Sequence, residues 1–146
     1  MRLIVGHEPT ILEWLARTYG VHALQTPRLV FGVIDDGGVL RGAYILTWRN
    51  DTTAELHAYG AVTNDTAKEL FHAAFVECGL FRLELCVPRK SKAVRRGVLK
   101  MGFKYEGIAR EYYGPGEDAF CYGMTAAECR WIGERHGVNV QVAATA

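Results

Sequence analysis

The chain has 146 residues, of which 49% are hydrophobic and 23% charged, and its formal net charge is +1. One domain of that length buries roughly two-thirds of its unfolded surface and needs no metal or disulfide to fold. The near-neutral charge excludes a global pull toward nucleic acid, and there is no apolar run of bilayer length, so no membrane partner is expected.

The opening residues, MRLIVGHEPT, hold too short an apolar stretch for a signal-peptide core, which predicts a cytoplasmic protein. Residues 2–5 read as a strand. A threonine followed three residues later by glutamate marks a capping box, in which each side chain satisfies the other's free N–H. Thr10 with Glu13 predicts a helix start, as do Thr66 with Glu69 and Thr125 with Glu128. Strands are predicted over 29–34, 43–48 and 54–62, with turn signals at 35–38 and 49–51 between them, giving an antiparallel meander.

The pattern then changes to a helix over 66–78, a strand over 82–87 and a helix over 91–101. In the first helix, Ala67, Leu70, Phe71, Ala74, Phe75 and Cys78 share one face, and Gly79 ends it. A strand, helix, strand unit with short loops implies a right-handed crossover and a parallel strand pair. Strands over 104–113 and 119–124 follow. The expectation is an α/β domain over residues 1–136, with a tail over 137–146 whose alternating residues 138–142 suit an edge strand. Cys78, Cys86, Cys121 and Cys129 form no CxxC pair, which predicts packed thiols and no metal site.

Two stretches carry a resemblance. Leu99-Lys100-Met101-Gly102-Phe103-Lys104-Tyr105-Glu106-Gly107 resembles the "lGFxxeG" turn of the GNAT (Gcn-five-related) N-acetyltransferases, and Val87-Pro88-Arg89-Lys90-Ser91 precedes it as in that family. Arg110-Glu111-Tyr112-Tyr113 and Glu117-Asp118-Ala119 look like the "RxYY…EDA" pattern of the branch that acetylates the N-terminal amine of a ribosomal protein. The resemblance implies a GNAT-like acyl-CoA N-acyltransferase fold: a central, mostly antiparallel sheet with the fourth and fifth strands parallel, and flanking helices. It also implies acetyl-CoA as cofactor and an amine as acceptor, on a small molecule or a protein N-terminus.

Carried onto this chain, the cofactor contacts fall on Ala61, Val62, Thr63 and Asn64, on Thr66 at the helix start, and on Ser91 and Arg95 at the next strand-to-helix junction. The family's Q/RxxGxG/A run is missing from 59–69. Asp65 and Glu69 add carboxylates at the helix N-terminus, where a diphosphate would seek positive charge. A non-catalytic GNAT-fold protein with a binding or structural role, such as a bacteriophage virion or host-interaction protein, is the alternative.

For chemistry, Glu55, His57 and Tyr59 share one strand face by the period of two, so Glu55 or His57 can act as base. The family's usual thiolate acid position holds Val98. Tyr113 is the replacement, and strand alternation allows at most one of Tyr112 and Tyr113 to reach the site. The basic stretch over 89–104 offers a surface for a protein partner; it lacks interleaved aromatics, and nucleic acid is not expected there.

Overall fold

The computed structural model describes residues 1–22 and 26–132, so the tail expected over 137–146 lies outside the described residues. Seven strands form one sheet: β1 (Arg2–Val5), β2 (Arg28–Ile34), β3 (Leu40–Trp48), β4 (Thr53–Gly60), β5 (Arg82–Pro88), β6 (Lys104–Gly114) and β7 (Glu117–Thr125), in the order β1-β2-β3-β4-β5-β7-β6. Every pairing is antiparallel except β4 with β5. The parallel pair follows from the crossover through α2 (Asn64–Phe71).

Two helix starts differ from the sequence expectation. Helix α1 (Glu8–Tyr19) begins two residues before Thr10, with His7 at the N-cap and Pro9 in the first turn, where its missing N–H costs nothing. Helix α2 begins at Asn64, because Thr63 caps it and Thr66 supplies the reciprocal bond. Glu69 is thereby freed from capping, and its carboxylate accepts the backbone N–H of Leu3 in β1 at 3.0 Å. Thr125 and Glu128 do form a capping box, on a single 3-10 turn.

Beyond Phe71 the helix continues as π-helix to Glu77. The wider turn slips the face by one residue, so Cys78 is exposed although the helical spacing places it with the buried row. Ala67, Leu70, Phe71, Ala74 and Phe75 are buried as that spacing predicts.

The helices divide the sheet's two faces unequally. On one face α2, its π extension and α3 (Lys92–Met101) cover the main core, where Phe71 and Phe75 meet Leu46, Leu83 and Met124. On the other face α1 buries Ile11 and Leu15 against Val30, Ala43 and Ile45, over β2 and β3. Among the described residues, no helix covers the second face of β5, β7 and β6.

Candidate active site

The parallel pairing of β4 and β5 is short. Thr53 faces Arg82, Ala54 faces Leu83 and Glu55 faces Glu84, after which the strands separate. Each stays tied to its outer neighbour: β4 to β3 as far as Gly60, and β5 to β7 as far as Pro88. The gap opens into a cleft of about 780 Å³ that runs through the sheet, since its lining takes Leu56 from one face of β4 and His57 and Tyr59 from the other. Val62, Thr63 and Asn64 stand at the cleft, as do Cys86, Val98 and Tyr113.

At the point of separation sits Glu55, a buried carboxylate on a strand. It accepts from His57 Nε2 at 2.9 Å on one oxygen and pairs with Arg49 at 2.7 Å on the other. The His57 hydrogen bond holds its carboxyl below the ordinary range, Arg49 adds to that, and burial works in the opposite direction. An imidazole donating from Nε2 to a fixed carboxylate presents Nδ1 as its free acceptor.

Across the opening, Tyr112 and Tyr113 do not alternate as strand residues should. Their rings stack with centroids 5.0 Å apart. The cause is a bulge in β6, where pairing with β7 shifts between Ala109 and Gly114 and Glu111 adopts φ 55°. Asp118 holds the bulge by accepting the Glu111 N–H at 2.8 Å. The bulge brings both rings toward Cys86 and Glu55, while Tyr113 lines the cleft. Burial, with the nearby Cys86 thiol adding to it, pushes Tyr113 up to about 12. Tyr112 is raised by burial and then by the Glu55 charge.

The N-terminus of α2 forms the other end of the cleft. Its capping box takes the N–H groups of Thr63 and Thr66, which leaves those of Asn64 and Asp65 outside it. Thr66 itself is fully buried, its hydroxyl shared with Thr63 and with Tyr44 at 3.1 Å, so its side chain supports the loop from beneath. Gly60 turns the chain from β4 into this loop at φ 74°, and a Cβ there would lie 2.4 Å from the Arg41 carbonyl oxygen.

No protein-family model matches the chain, and no curated protein sequence does. Solved structures do. A chimera of the Vibrio cholerae spermidine N-acetyltransferase SpeG and hSSAT superposes with a TM-score of 0.73 at 15% identity, covering 84% of this chain and 94% of that one. A structure described as a probable acetyltransferase gives a TM-score of 0.63 at 24% identity, covering 82% and 70%. The F149A mutant of the Vibrio cholerae enzyme gives 0.63 at 19% identity, covering 77% and 74%. The chain has the GNAT acetyltransferase fold.

Within the GNAT fold of this chain, the expected site residues do not all meet. Glu55, His57, Tyr113, Val62, Thr63 and Asn64 converge on the opening. Thr66 lies beneath it. Arg95 lies elsewhere, in a neighbouring cavity of about 810 Å³ that Tyr113 also lines, with its guanidinium 4.6 Å from the centre of the Phe120 ring. Ser91 is the N-cap of α3 and makes no capping bond with its side chain. Ala61 donates its N–H to the Arg41 carbonyl, which pins the loop to β3.

Arg49 stands beside Glu55 and Cys86 lines the cleft, although residue spacing assigns neither a role there. Arg49 reads as part of a turn, and Cys86 as a packed thiol. Only the register that sets Glu55 beside Glu84 and Cys86 opposite Cys121 exposes their place. The basic stretch is partly neutralised: Lys90 pairs with Glu117 at 3.0 Å, Arg89 with Asp118 at 3.7 Å, and Lys104 with Glu128. No helix among the described residues is long and apolar enough to cross a membrane.

Proposed function

We propose that the chain is an acetyl-CoA-dependent N-acetyltransferase that acts on an amine of a small molecule or a protein N-terminus. The observation that carries this reading is the separation of β4 from β5 beyond Glu55 and Glu84, with a carboxylate–imidazole pair on its wall and a helix N-terminus at its end. The SpeG proteins among the structural neighbours are described as spermidine N-acetyltransferases, which supports a small amine as acceptor.

The residues present fit an acyl-CoA. The cleft's volume is within the range that small-molecule sites occupy, and the N–H groups of Asn64 and Asp65 sit where a helix favours an anion. The Asp65 carboxylate opposes that charge. Release of Glu69 to β1 removes the other carboxylate that the sequence sets there. When bound, acetyl-CoA supplies an acetyl group activated as a thioester.

His57 accepts the amine's proton at Nδ1, and Glu55 is a positioning residue that fixes the ring through Nε2. Tyr113, with its hydroxyl held protonated at neutral pH, donates to the departing sulfur. Isothermal titration with acetyl-CoA tests binding, and thiol release in the presence of spermidine or a peptide with a free N-terminus tests transfer. His57→Ala should lower kcat/KM by about 10²-fold or more while acetyl-CoA affinity stays unchanged.

A second reading, a GNAT-fold protein without catalysis, is favoured by Asp65 in the first turn of α2 and by the absence of a glycine between Gly60 and that helix. Absence of heat with folded protein at high micromolar acetyl-CoA decides for it.

A further inference from the structure

Cys86 in β5 and Cys121 in β7 are 35 residues apart in sequence and directly opposed in the antiparallel register, with their sulfurs 3.5 Å apart. Both are half-buried, on the sheet face that no helix covers among the described residues. Cys86 also lines the cleft. We propose that the two form an oxidisable dithiol, which hydrogen peroxide converts to a cross-strand disulfide at the wall of the cleft.

The backbone already suits the bond. Directly opposed residues of an antiparallel pair have Cα atoms about 4.5 or 5.5 Å apart, according to the type of pair, and disulfides span Cα separations of about 4.4–6.8 Å. Closing the bond needs side-chain rotation that brings the sulfurs from contact to bonding distance, with the strands where they are. Partial exposure admits a reagent as small as a peroxide.

The chemistry balances with one peroxide per pair. Cys121 loses its proton to solvent, and its sulfur attacks one peroxide oxygen; the O–O bond breaks, leaving a sulfenic acid and a hydroxide that takes up a proton to become water. The Cys86 sulfur then attacks the sulfenic sulfur; the S–S bond forms, the S–O bond breaks, and the hydroxyl leaves as water with the Cys86 proton. Two thiols are oxidised by two electrons and the peroxide is reduced to two waters. Burial, helped by the neighbouring Cys121 thiol, pushes the Cys86 thiol up to about 12, so Cys86 keeps its proton at neutral pH and is the second sulfur to react. Tyr112 lies beside the Cys86 thiol, so closure changes the surroundings of that tyrosine at the candidate active site. None of this depends on acetyl transfer.

The test is to treat the folded full-length protein with hydrogen peroxide, denature it, alkylate the remaining thiols and map the peptides by mass. The expected result is one Cys86–Cys121 link that lacks two hydrogens and is reversed by dithiothreitol, while Cys78 and Cys129 are alkylated. Cys121→Ser should abolish the link. Urea unfolding should shift to higher denaturant on oxidation, because the link constrains the unfolded chain between the two strands. Separate alkylation of Cys86 and Cys121, a link to Cys78 or Cys129, or a midpoint that falls on oxidation would each overturn the proposal.

Discussion

The Asp118 carboxylate accepts the backbone N–H of Glu111 at 2.8 Å, across the hairpin from β7 to β6. That bond fixes the one non-glycine residue with positive φ among the described residues, and through it the direction of two tyrosines. A non-glycine residue in the left-handed region costs about 1–2 kcal/mol. Glu111→Gly should therefore stabilise the protein by up to about 1 kcal/mol after the entropy cost of glycine is set against the relief. Asp118→Ala should lose about 1–3 kcal/mol by leaving that N–H without its charged acceptor. Urea unfolding followed by circular dichroism measures both.

Acid should act through Glu55. Its folded carboxyl titrates below its unfolded one, chiefly through the His57 hydrogen bond, so its contribution is full above the ordinary carboxylate range and is lost as pH falls through that range toward the folded value. At neutral pH, Glu55→Gln should cost about 1–3 kcal/mol, because Arg49 and His57 lose a charged partner. As pH falls below about 4 the gap between wild type and variant should narrow progressively. Thermal unfolding of both at several pH values provides the comparison, and a constant gap down to low pH contradicts it.

Gly60 turns β4 into the loop before α2, close against β3. Gly60→Ala combines a positive φ with a Cβ 2.4 Å from a backbone oxygen, and a backbone oxygen has no rotamer to change. The expected loss exceeds about 2 kcal/mol, together with weaker acetyl-CoA binding. A melting temperature within error of the wild type would contradict the geometry.

The stacked tyrosines separate by function. Tyr113 lines the cleft and Tyr112 lies beside the Cys86 thiol, so Tyr113→Phe should lower kcat by about 10²-fold with KM little changed, whereas Tyr112→Phe should leave turnover within a few-fold. Steady-state kinetics of the two variants against wild type reads the difference.

Much of the architecture is legible in local chemistry. The turn at Asp35 is one such place, where the carboxylate takes the N–H groups of Gly37 and Val39, and Gly102 closing α3 in the left-handed region is another. The buried row from Ala67 to Phe75 follows from helical spacing alone. What sequence spacing did not carry is competition between neighbours. Thr63 wins the cap of α2 over Thr66, because Thr66 is needed both as the reciprocal partner and by Tyr44. The same limit hid half of the site. Period-two alternation places Glu55 with His57, but the bulge at Glu111 breaks it for Tyr112 and Tyr113, and the opposition of Cys86 and Cys121 exists only in the register.

The three-residue seam between β4 and β5 also has a mechanical meaning. The sheet is two panels, β1 to β4 and β5 to β6, stitched along a short hem, with α2 and α3 on one face and α1 on the other over β2 and β3. Loads applied across the strands concentrate on the stitches at Thr53, Ala54 and Glu55. A molecule lodged beyond them spans both panels and stiffens the whole sheet, so slower amide exchange along β4 and β5 would report occupancy even where no reaction occurs.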